Sequence, residues 1–197
     1  DFLLTIKIET PTALNKWDEE FYYDKTQWAD IYHIPYKCAR ETSLQSLQYQ
    51  ILNRFLPCHY LLYKWNIKDS PNCMYCMVTD TVTHYLCECQ IVKEFWSLFK
   101  NWWHKCYDVN IALGAADVIF GILNPNEDII LDVLNYCILF AKQFIHKCKQ
   151  GENNNNINFI AFKYKLKKRI MNEKFILENS NKLELFQMKW EPLLITD

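Results

Sequence analysis

A cluster of three cysteines and one histidine within residues 73–89 constrains the fold of this chain more than any other feature. The spacing is Cys73-x2-Cys76-x7-His84-x4-Cys89. Two cysteines two residues apart fit one tight turn, and a following histidine and cysteine complete the tetrahedral sulfur and nitrogen set that zinc prefers. Because four protein ligands leave no position for water or substrate, the pattern predicts a structural Zn²⁺ site and no catalysis at the metal.

The sequence leaves two questions about this site open: whether the cysteines bind a metal at all, and which cysteine is the fourth ligand. The chain contains nine cysteines, and a free cysteine is often an inert, buried side chain. The fourth ligand also depends on local structure, since in one unbroken helix His84 would face Cys87, three residues on, better than Cys89, five residues on. If the helix instead ends after Glu88, Cys89 is the better ligand.

Length and composition favour one helical domain, or one domain with a helical extension. Half of the 197 residues are hydrophobic, and only three glycines and six prolines interrupt the chain, which favours long helices. No apolar run of about eighteen residues predicts a membrane span, and no secretory leader opens the chain. An odd number of cysteines without a leader favours reduced thiols in the nucleus and cytoplasm. The missing initiator methionine is compatible with a segment of a longer protein.

Apolar residues at helical spacing predict a series of amphipathic helices. Two short N-terminal helices are expected, the second ending at Pro35. Thr42 and Gln45 offer a capping box for the next helix, which Pro57 stops, and Asn124 is the predicted N-cap of a long core helix. The apolar positions that define these helices are Trp17, Phe21, Trp28, Ile31 and Tyr32; Leu44, Leu47, Ile51 and Phe55; Val92, Phe95, Trp96, Phe99, Trp103 and Cys106; Ile130, Val133, Leu134, Cys137, Phe140, Ala141 and Phe144; Phe159, Phe162, Leu166, Ile170 and Leu177; and Leu183, Phe186 and Trp190. The set from Phe159 to Leu177 marks the predicted buried side of its helix.

Charge is unevenly distributed, although the net charge is only −1. Residues 1–31 carry seven acidic residues against three lysines, whereas residues 142–189 carry eleven basic residues against four acidic ones. Cations on one predicted helix would bind phosphates by releasing counterions, without any base-specific group. A solvated outer face is the alternative interpretation. The candidate nucleic-acid-binding residues are Lys163, Lys165, Lys167, Lys168, Arg169 and Lys174.

No constellation of residues predicts catalysis. The sequence has no Gly-x-Ser-x-Gly motif, no phosphate-binding glycine loop and no paired carboxylates with metal spacing. Trp102, Trp103 and Tyr107 could stack on unpaired bases, but aromatic residues at helical spacing more often belong to a core. We therefore predict that the chain by itself is not an enzyme.

Several short runs accompany the cysteine and histidine pattern. They are LQYQILNRFLP at residues 47–57, LLYKW at 61–65, DSPN at 69–72, FW at 95–96, FGI at 120–122 and W-x-PL at 190–193. Together, over most of the chain, they resemble the zinc-binding C-terminal segment of reverse transcriptases from non-LTR retrotransposons, the long interspersed elements. The sequence departs from that family's pattern at Cys87, where the family usually has an aromatic residue, so Cys87 stays open as the fourth ligand.

The resemblance implies a segment that binds zinc and holds template RNA or target DNA during target-primed reverse transcription. Its partners would be nucleic acid and the upstream polymerase domain of the same polyprotein, with no membrane. A structural zinc scaffold that contacts only protein is the alternative function. The expected fold is mainly α-helical and stabilised by a Cys-Cys-His-Cys zinc knuckle. It would comprise a helical lead-in at 1–40, a zinc-knuckle core at 41–110 and a C-terminal part with the basic helix at 111–197.

Overall fold

The structure, a computed structural model, describes residues 12–21, 27–151, 157–179 and 182–195. Within these ranges the chain is mainly helical and has no β-strand, which confirms the predicted fold class. A π-helical turn, His84–Glu88, directly precedes the fifth α-helix. The α-helices are α1 (Thr12–Phe21), α2 (Trp28–Cys38), α3 (Thr42–Leu52), α4 (His59–Lys64), α5 (Gln90–Tyr107), α6 (Ala115–Phe120), α7 (Ile129–Gln150), α8 (Phe159–Asn179) and α9 (Leu183–Ile195).

Helix α7 is at the centre of the packing. It contacts α2, α3, α6, α8, α9 and the π-helical turn, and residues 133–145 are buried without interruption. By length and composition α7 could cross a membrane, but its burial among other helices accounts for its apolar surface. Helices from all three expected segments contribute to one core, and the boundaries at residues 40 and 110 stay predictions.

Aromatic side chains fill the core between α5, α7 and α8. The ring of Phe162 lies 5.2 Å from that of Phe95 and 6.1 Å from that of Trp102, both near edge-to-face, an arrangement that aromatic pairs prefer. Trp102 and Trp103 are buried, and the Tyr107 hydroxyl donates to the Lys189 carbonyl at 2.6 Å. These aromatic residues of α5 therefore belong to the core and do not offer their faces to bases.

The prediction that Pro35 ends the second helix is wrong. Helix α2 continues through Pro35 to Cys38, and the Pro35 carbonyl accepts a hydrogen bond from Ala39 N at 3.1 Å. Proline removes one intrahelical hydrogen bond, but α2 packs against both α3 and α7, and Pro35 itself is buried. Tertiary packing thus stabilises a helix that its sequence would interrupt.

The predicted capping of the N-terminus of α3 is also wrong. Glu41 is the N-cap, without a side-chain cap, and Gln45 Nε2 donates to the Ala39 carbonyl at 2.8 Å, so no Thr42–Gln45 capping box forms. The helix ends at Leu52, before Pro57, and the Phe55 side chain beyond it is exposed. The Glu41 carboxylate instead accepts from the Tyr136 hydroxyl at 2.8 Å, which ties α3 to α7.

The N-cap of α7 is Asp128, four residues after the predicted Asn124. Asp128 Oδ1 accepts from the backbone N–H groups of Ile130 at 2.7 Å and Leu131 at 3.3 Å. Asn124 Oδ1 accepts from Asp128 N at 2.8 Å. Asn124 therefore orders the loop that presents the cap, and the carboxylate favours the positive end of the helix dipole.

A buried polar network crosses the core at Lys142. Its Nζ donates to Gln48 Oε1 at 2.5 Å and to the Ile119 carbonyl at 3.3 Å, and Gln48 Nε2 donates to the same carbonyl at 2.8 Å. Burial lowers the pKa of the Lys142 ammonium to about 7, although the nearby thiols of Cys87 and Cys38 oppose this shift. The network satisfies polar groups that α3, α6 and α7 would otherwise bury unpaired.

Stability should therefore depend on pH through Lys142. In the unfolded chain a lysine has a pKa of about 10.4, so between pH 7 and pH 10 the unfolded state binds more protons and raising the pH favours folding. Relative to Lys142→Met, the wild type should gain at most about 1.4 kcal/mol of unfolding free energy per pH unit. Urea unfolding of both proteins at pH 7, 8 and 9, at constant zinc, measures this difference. If the unfolding free energies of the two proteins changed equally with pH, the lowered pKa of Lys142 would be contradicted.

Candidate metal centre

Residues 72–79, the cysteine turn, hold Cys73 and Cys76 at the tip of a short hairpin. Cys73 N donates to the Val78 carbonyl at 2.8 Å, and Met77 N donates to the Cys73 carbonyl at 2.9 Å. An antiparallel bridge between Asn72 and Thr79 closes the base of the turn. Met77 adopts a left-handed conformation with φ of 57°, which reverses the chain directly after Cys76.

The other two candidate ligands, His84 and Cys89, lie at the ends of the π-helical turn. Cys89 N donates to the His84 carbonyl at 2.9 Å, a bond across five residues that defines π geometry. In an α-helix, residues five apart point about 140° away from each other. The wider turn brings His84 and Cys89 to one side, and the extended backbone at Cys89 (ψ 132°) ends the segment before α5 begins.

The π-helical turn leaves two backbone carbonyls without their usual α-helical donors, and neighbouring side chains satisfy both. Lys149 Nζ donates to the Tyr85 carbonyl at 2.8 Å, and Trp96 Nε1 donates to the Leu86 carbonyl at 2.7 Å. The N–H of Gln90, which would have bonded Leu86, instead points at Cys76 Sγ at 3.4 Å. The two carbonyls that the π-helical turn frees are thus both hydrogen-bonded.

The four side chains meet with dimensions that suit a metal ion. The ligand atoms of Cys73, Cys76, His84 and Cys89 all lie within 4.8 Å of one another. Cys89 Sγ lies 3.8 Å from both Cys73 Sγ and Cys76 Sγ. A tetrahedral site with Zn–S bonds of about 2.3 Å would separate two sulfurs by about 3.8 Å. The observed sulfur spacing therefore fits zinc.

Cys87 lies outside this cluster. Its Sγ approaches the Ala115 carbonyl at 3.9 Å, on the side of the turn that packs against α6. The sequence left the choice between Cys87 and Cys89 to whether the helix ends after Glu88. The π-helical turn does end at Glu88, so the geometry brings Cys89 and not Cys87 to the other three ligands.

A buried nitrogen in the cluster supports the metal assignment independently. His84 Nε2 is buried and has no hydrogen-bond partner among the described residues, a costly state that a metal bond would relieve. Asp80 Oδ1 lies 3.9 Å from this nitrogen. The other carboxylate oxygen, Oδ2, accepts from His59 N at 3.2 Å. The Asp80 carboxylate thus adds negative charge beside the candidate cation site and is fixed by the start of α4.

Burial also determines the protonation of the candidate ligands. It raises the pKa of the Cys89 thiol to about 12 and lowers the pKa of the His84 imidazole. The Gln90 N–H that points at its sulfur lowers the pKa of Cys76. A neutral imidazole is already able to ligate, whereas a cation must displace the Cys89 proton before that sulfur becomes a thiolate ligand.

Three sulfurs and one imidazole, supplied by a tight turn and by a π-helical turn, define the class of this centre as a structural metal site in a helical domain. Residues 10–96 match the family model described as zinc-binding in reverse transcriptase. That family is an accessory zinc-binding domain of reverse transcriptases and not their catalytic core. No curated protein matches the chain.

The family match covers all four candidate ligands and ends within α5. It therefore supports the zinc-binding and reverse-transcriptase parts of the predicted resemblance. The wider resemblance, which extends to the end of the chain and specifies non-LTR retrotransposons, stays a prediction. Helices α6 to α9, which include the basic helix α8, lie beyond the matched residues.

The six basic residues predicted to bind nucleic acid fall on two flanks of α8. At about 100° per residue, Lys163, Lys167 and Lys174 lie on one side of the buried stripe, and Lys165, Lys168 and Arg169 lie on the other. Arg169 lies 3.6 Å from Glu41 and Lys174 lies 3.6 Å from Glu178, so both form ion pairs within the chain. The predicted buried stripe of Phe159, Phe162, Leu166, Ile170 and Leu177 is confirmed.

One of the two flanks forms a groove with α7. The groove has a volume of about 360 Å³, and Lys147 of α7 joins Lys165, Lys168 and Arg169 in lining it. The remaining lining residues are Phe140, Gln143, Phe144 and Asn172, so no acidic side chain lines it. Lys147 belongs to the basic region of residues 142–189 but was not among the predicted binding residues. Its exposed place in the last turn of α7 was the available signal.

We expect one zinc ion per chain, bound through the four clustered side chains. Cys89→Ser should abolish stoichiometric zinc binding, whereas Cys87→Ser, the matched control, should retain it. Chelation should lower the melting temperature of the wild type by at least about 5 °C, because metal binding contributes to folding free energy. Elemental analysis and thermal unfolding measure both effects. Zinc loss in Cys87→Ser with retention in Cys89→Ser would transfer the role to Cys87.

Proposed function

We propose that this chain is the zinc-binding and nucleic-acid-binding C-terminal segment of a non-LTR retrotransposon reverse transcriptase. It would hold template RNA or target DNA during target-primed reverse transcription, in the nucleus and cytoplasm, beside the upstream polymerase domain of the same polyprotein. The family match at residues 10–96 and the four-ligand cluster support the reverse-transcriptase and zinc parts of this proposal. The groove between α7 and α8 supports the nucleic-acid part.

Zinc has a mechanical role in this proposal. When bound to Cys73, Cys76, His84 and Cys89, Zn²⁺ supplies four bonds and no open coordination position. The protein positions the four ligands. The cysteine turn presents two of them, and the π-helical turn presents the other two just before α5. The ion would thereby fix the cysteine turn to the core helices.

The basic groove is the observation that carries nucleic-acid binding. Four cations line one concave surface that has no acidic lining residue, although Arg169 also pairs with Glu41 outside the lining. Such an excess of positive charge attracts phosphates. Lys165 Nζ lies 5.2 Å from the centroid of the Phe144 ring, so the aromatic floor positions a cation while leaving its N–H groups available. The other predicted residues, Lys163, Lys167 and Lys174, would act on the same strand at longer range.

Contacts of this kind position a strand without reading its sequence. No base-specific pairing is required, and RNA and DNA single strands should therefore bind with similar affinity. The affinity should depend strongly on salt, because each neutralised phosphate releases counterions.

The alternative, a zinc scaffold that contacts only protein, is favoured by two observations. The outer face of α8, between its two basic flanks, exposes the large apolar side chains of Ile160, Tyr164, Met171 and Phe175. Exposed apolar patches often mark protein contacts. The ion pairs of Arg169 and Lys174 point the same way, because they engage two of the six predicted cations within the chain.

Salt dependence of binding separates the two functions. If the four groove cations neutralise phosphates of a single strand, log affinity against log salt should have a slope of about −3. Changing Lys147, Lys165 and Lys168 together to alanine should make that slope about 2 units shallower and weaken RNA and DNA alike. Fluorescence anisotropy with a labelled oligonucleotide at several salt concentrations gives both quantities.

The matched control removes three charges from the other flank by changing Lys163, Lys167 and Lys174 to alanine. Its net charge equals that of the groove variant, so a much smaller change in slope would localise the phosphates to the groove. Equal effects of the two variants would mean that only the overall field matters. Wild-type binding that is undetectable at low salt would favour the protein scaffold.

A further inference from the structure

A second cleft opens beside the cysteine turn, away from the basic groove. Its volume is about 390 Å³, and the residues that matter for its chemistry are His59, Lys68, Met74, Tyr75, Tyr85 and Lys149. The cleft is thus lined by aromatic rings, a thioether and two ammonium groups. Volumes of this size are typical of small-molecule sites.

Two side chains of the cysteine turn give the cleft an accessible apolar surface. Tyr75 is 37% exposed and Met74 is 56% exposed, although both are large and apolar. They lie between Cys73 and Cys76, where the hydrogen bonds of the turn fix the backbone. An aromatic ring on such a fixed turn can stack on a planar ligand at a small cost in conformational entropy.

The two lysines supply positive charge on either side of this surface. Lys68 is exposed. Lys149 donates to the Tyr85 carbonyl and lies 4.3 Å from the centroid of the Tyr85 ring, which positions its ammonium group and leaves further N–H groups for an anion. Asp80 also lines the cleft, but it is buried, and its Oδ2 already accepts from His59 N.

The cleft and the basic groove lie on either side of the C-terminal end of α7. Lys147 lines the groove and Lys149 lines the cleft, and two residues apart on an α-helix point about 160° away from each other. The last turn of α7 therefore places one lysine in each site. The two sites therefore face opposite sides of that turn.

We propose that the cleft is a subsite for an unpaired base of a single-stranded nucleic acid. The base stacks against Tyr75 and Met74, and its flanking phosphates contact Lys68 and Lys149. This assignment rests on the proposed nucleic-acid-binding function and adds to it a contact with the base itself. A protein partner fits less well, because lysine is depleted in protein–protein interfaces, whereas aromatic residues beside lysines are typical of single-strand binding.

The test compares two oligonucleotides of equal length and charge, one with bases and one with abasic sites throughout. The zinc-loaded full chain should bind the base-bearing strand at least about fivefold more tightly, as expected from stacking. Tyr75→Ala should remove this difference, leave the salt slope unchanged and retain one zinc ion per chain. Tyr75→Phe should preserve the difference. Tyr36→Ala is the matched control, because Tyr36 is an exposed tyrosine of α2 that lines neither site.

Each outcome decides the inference. Loss of the base preference in Tyr75→Ala, but not in Tyr75→Phe or Tyr36→Ala, supports the subsite. Equal wild-type affinity for both strands overturns the subsite alone, since phosphate binding in the groove then stands without it. An unchanged base preference in Tyr75→Ala also overturns it and leaves the surface of the cysteine turn for protein contacts. No binding to either strand overturns the proposed function together with the subsite.

Discussion

The hydrogen bond from the Cys89 N–H to the His84 carbonyl is the interaction on which the architecture of the metal centre depends. Because it spans five residues, it turns His84 and Cys89 toward the same side and frees the carbonyls of Tyr85 and Leu86. Lys149 of α7 and Trp96 of α5 satisfy those two carbonyls. The geometry of the ligands is thereby coupled to both α5 and α7.

A second set of contacts fixes the same segment from the N-terminal side. The Arg54 guanidinium lies 3.6 Å from the centroid of the Trp17 ring and pairs with Glu20, which also accepts a hydrogen bond from the Thr83 hydroxyl. Thr83 directly precedes His84. Helix α1 therefore restrains the residue that leads into the π-helical turn. Arg54 contributes to this restraint because its guanidinium contacts the Trp17 ring and the Glu20 carboxylate at the same time.

Local spacing predicted which four side chains cluster and which positions of α5 and α8 are buried, because both depend on residues that are close in sequence. The Cys-x2-Cys turn and the apolar positions of α5 and α8 need only helical periodicity and turn geometry. The prediction from Pro35 was wrong for the opposite reason, whereas the prediction from Asn124 was wrong because of local contacts that spacing does not distinguish. Packing of α2 against α3 and α7 overrides the proline, and Asp128 replaces Asn124 as the cap of α7 through contacts within the preceding loop.

The sites formed between helices could not be predicted from periodicity at all. The groove requires Lys147 of α7 to meet Lys165 and Lys168 of α8, and the cleft requires Lys149 of α7 to meet Tyr75. Likewise, Cys89 rather than Cys87 joins the cluster because of the π-helical turn. The sequence indicated only that Cys89 would be favoured if the helix ended after Glu88. In the groove and the cleft, the deciding contact joins residues whose relative orientation is set by tertiary packing.

Helix α7 combines two roles that usually belong to different elements. Its middle is the buried centre of the core, whereas its last turn presents Lys147 to the basic groove and Lys149 to the metal-bearing segment. The π-helical turn leaves the Tyr85 carbonyl without an α-helical donor, and Lys149 satisfies it. Disruption of the metal centre would therefore also release Lys149, which lines the cleft. Loss of a groove lysine would have no such effect on the fold. The structural metal centre and the proposed cleft are therefore linked through one helix end, and any coupling of their binding free energies is reciprocal.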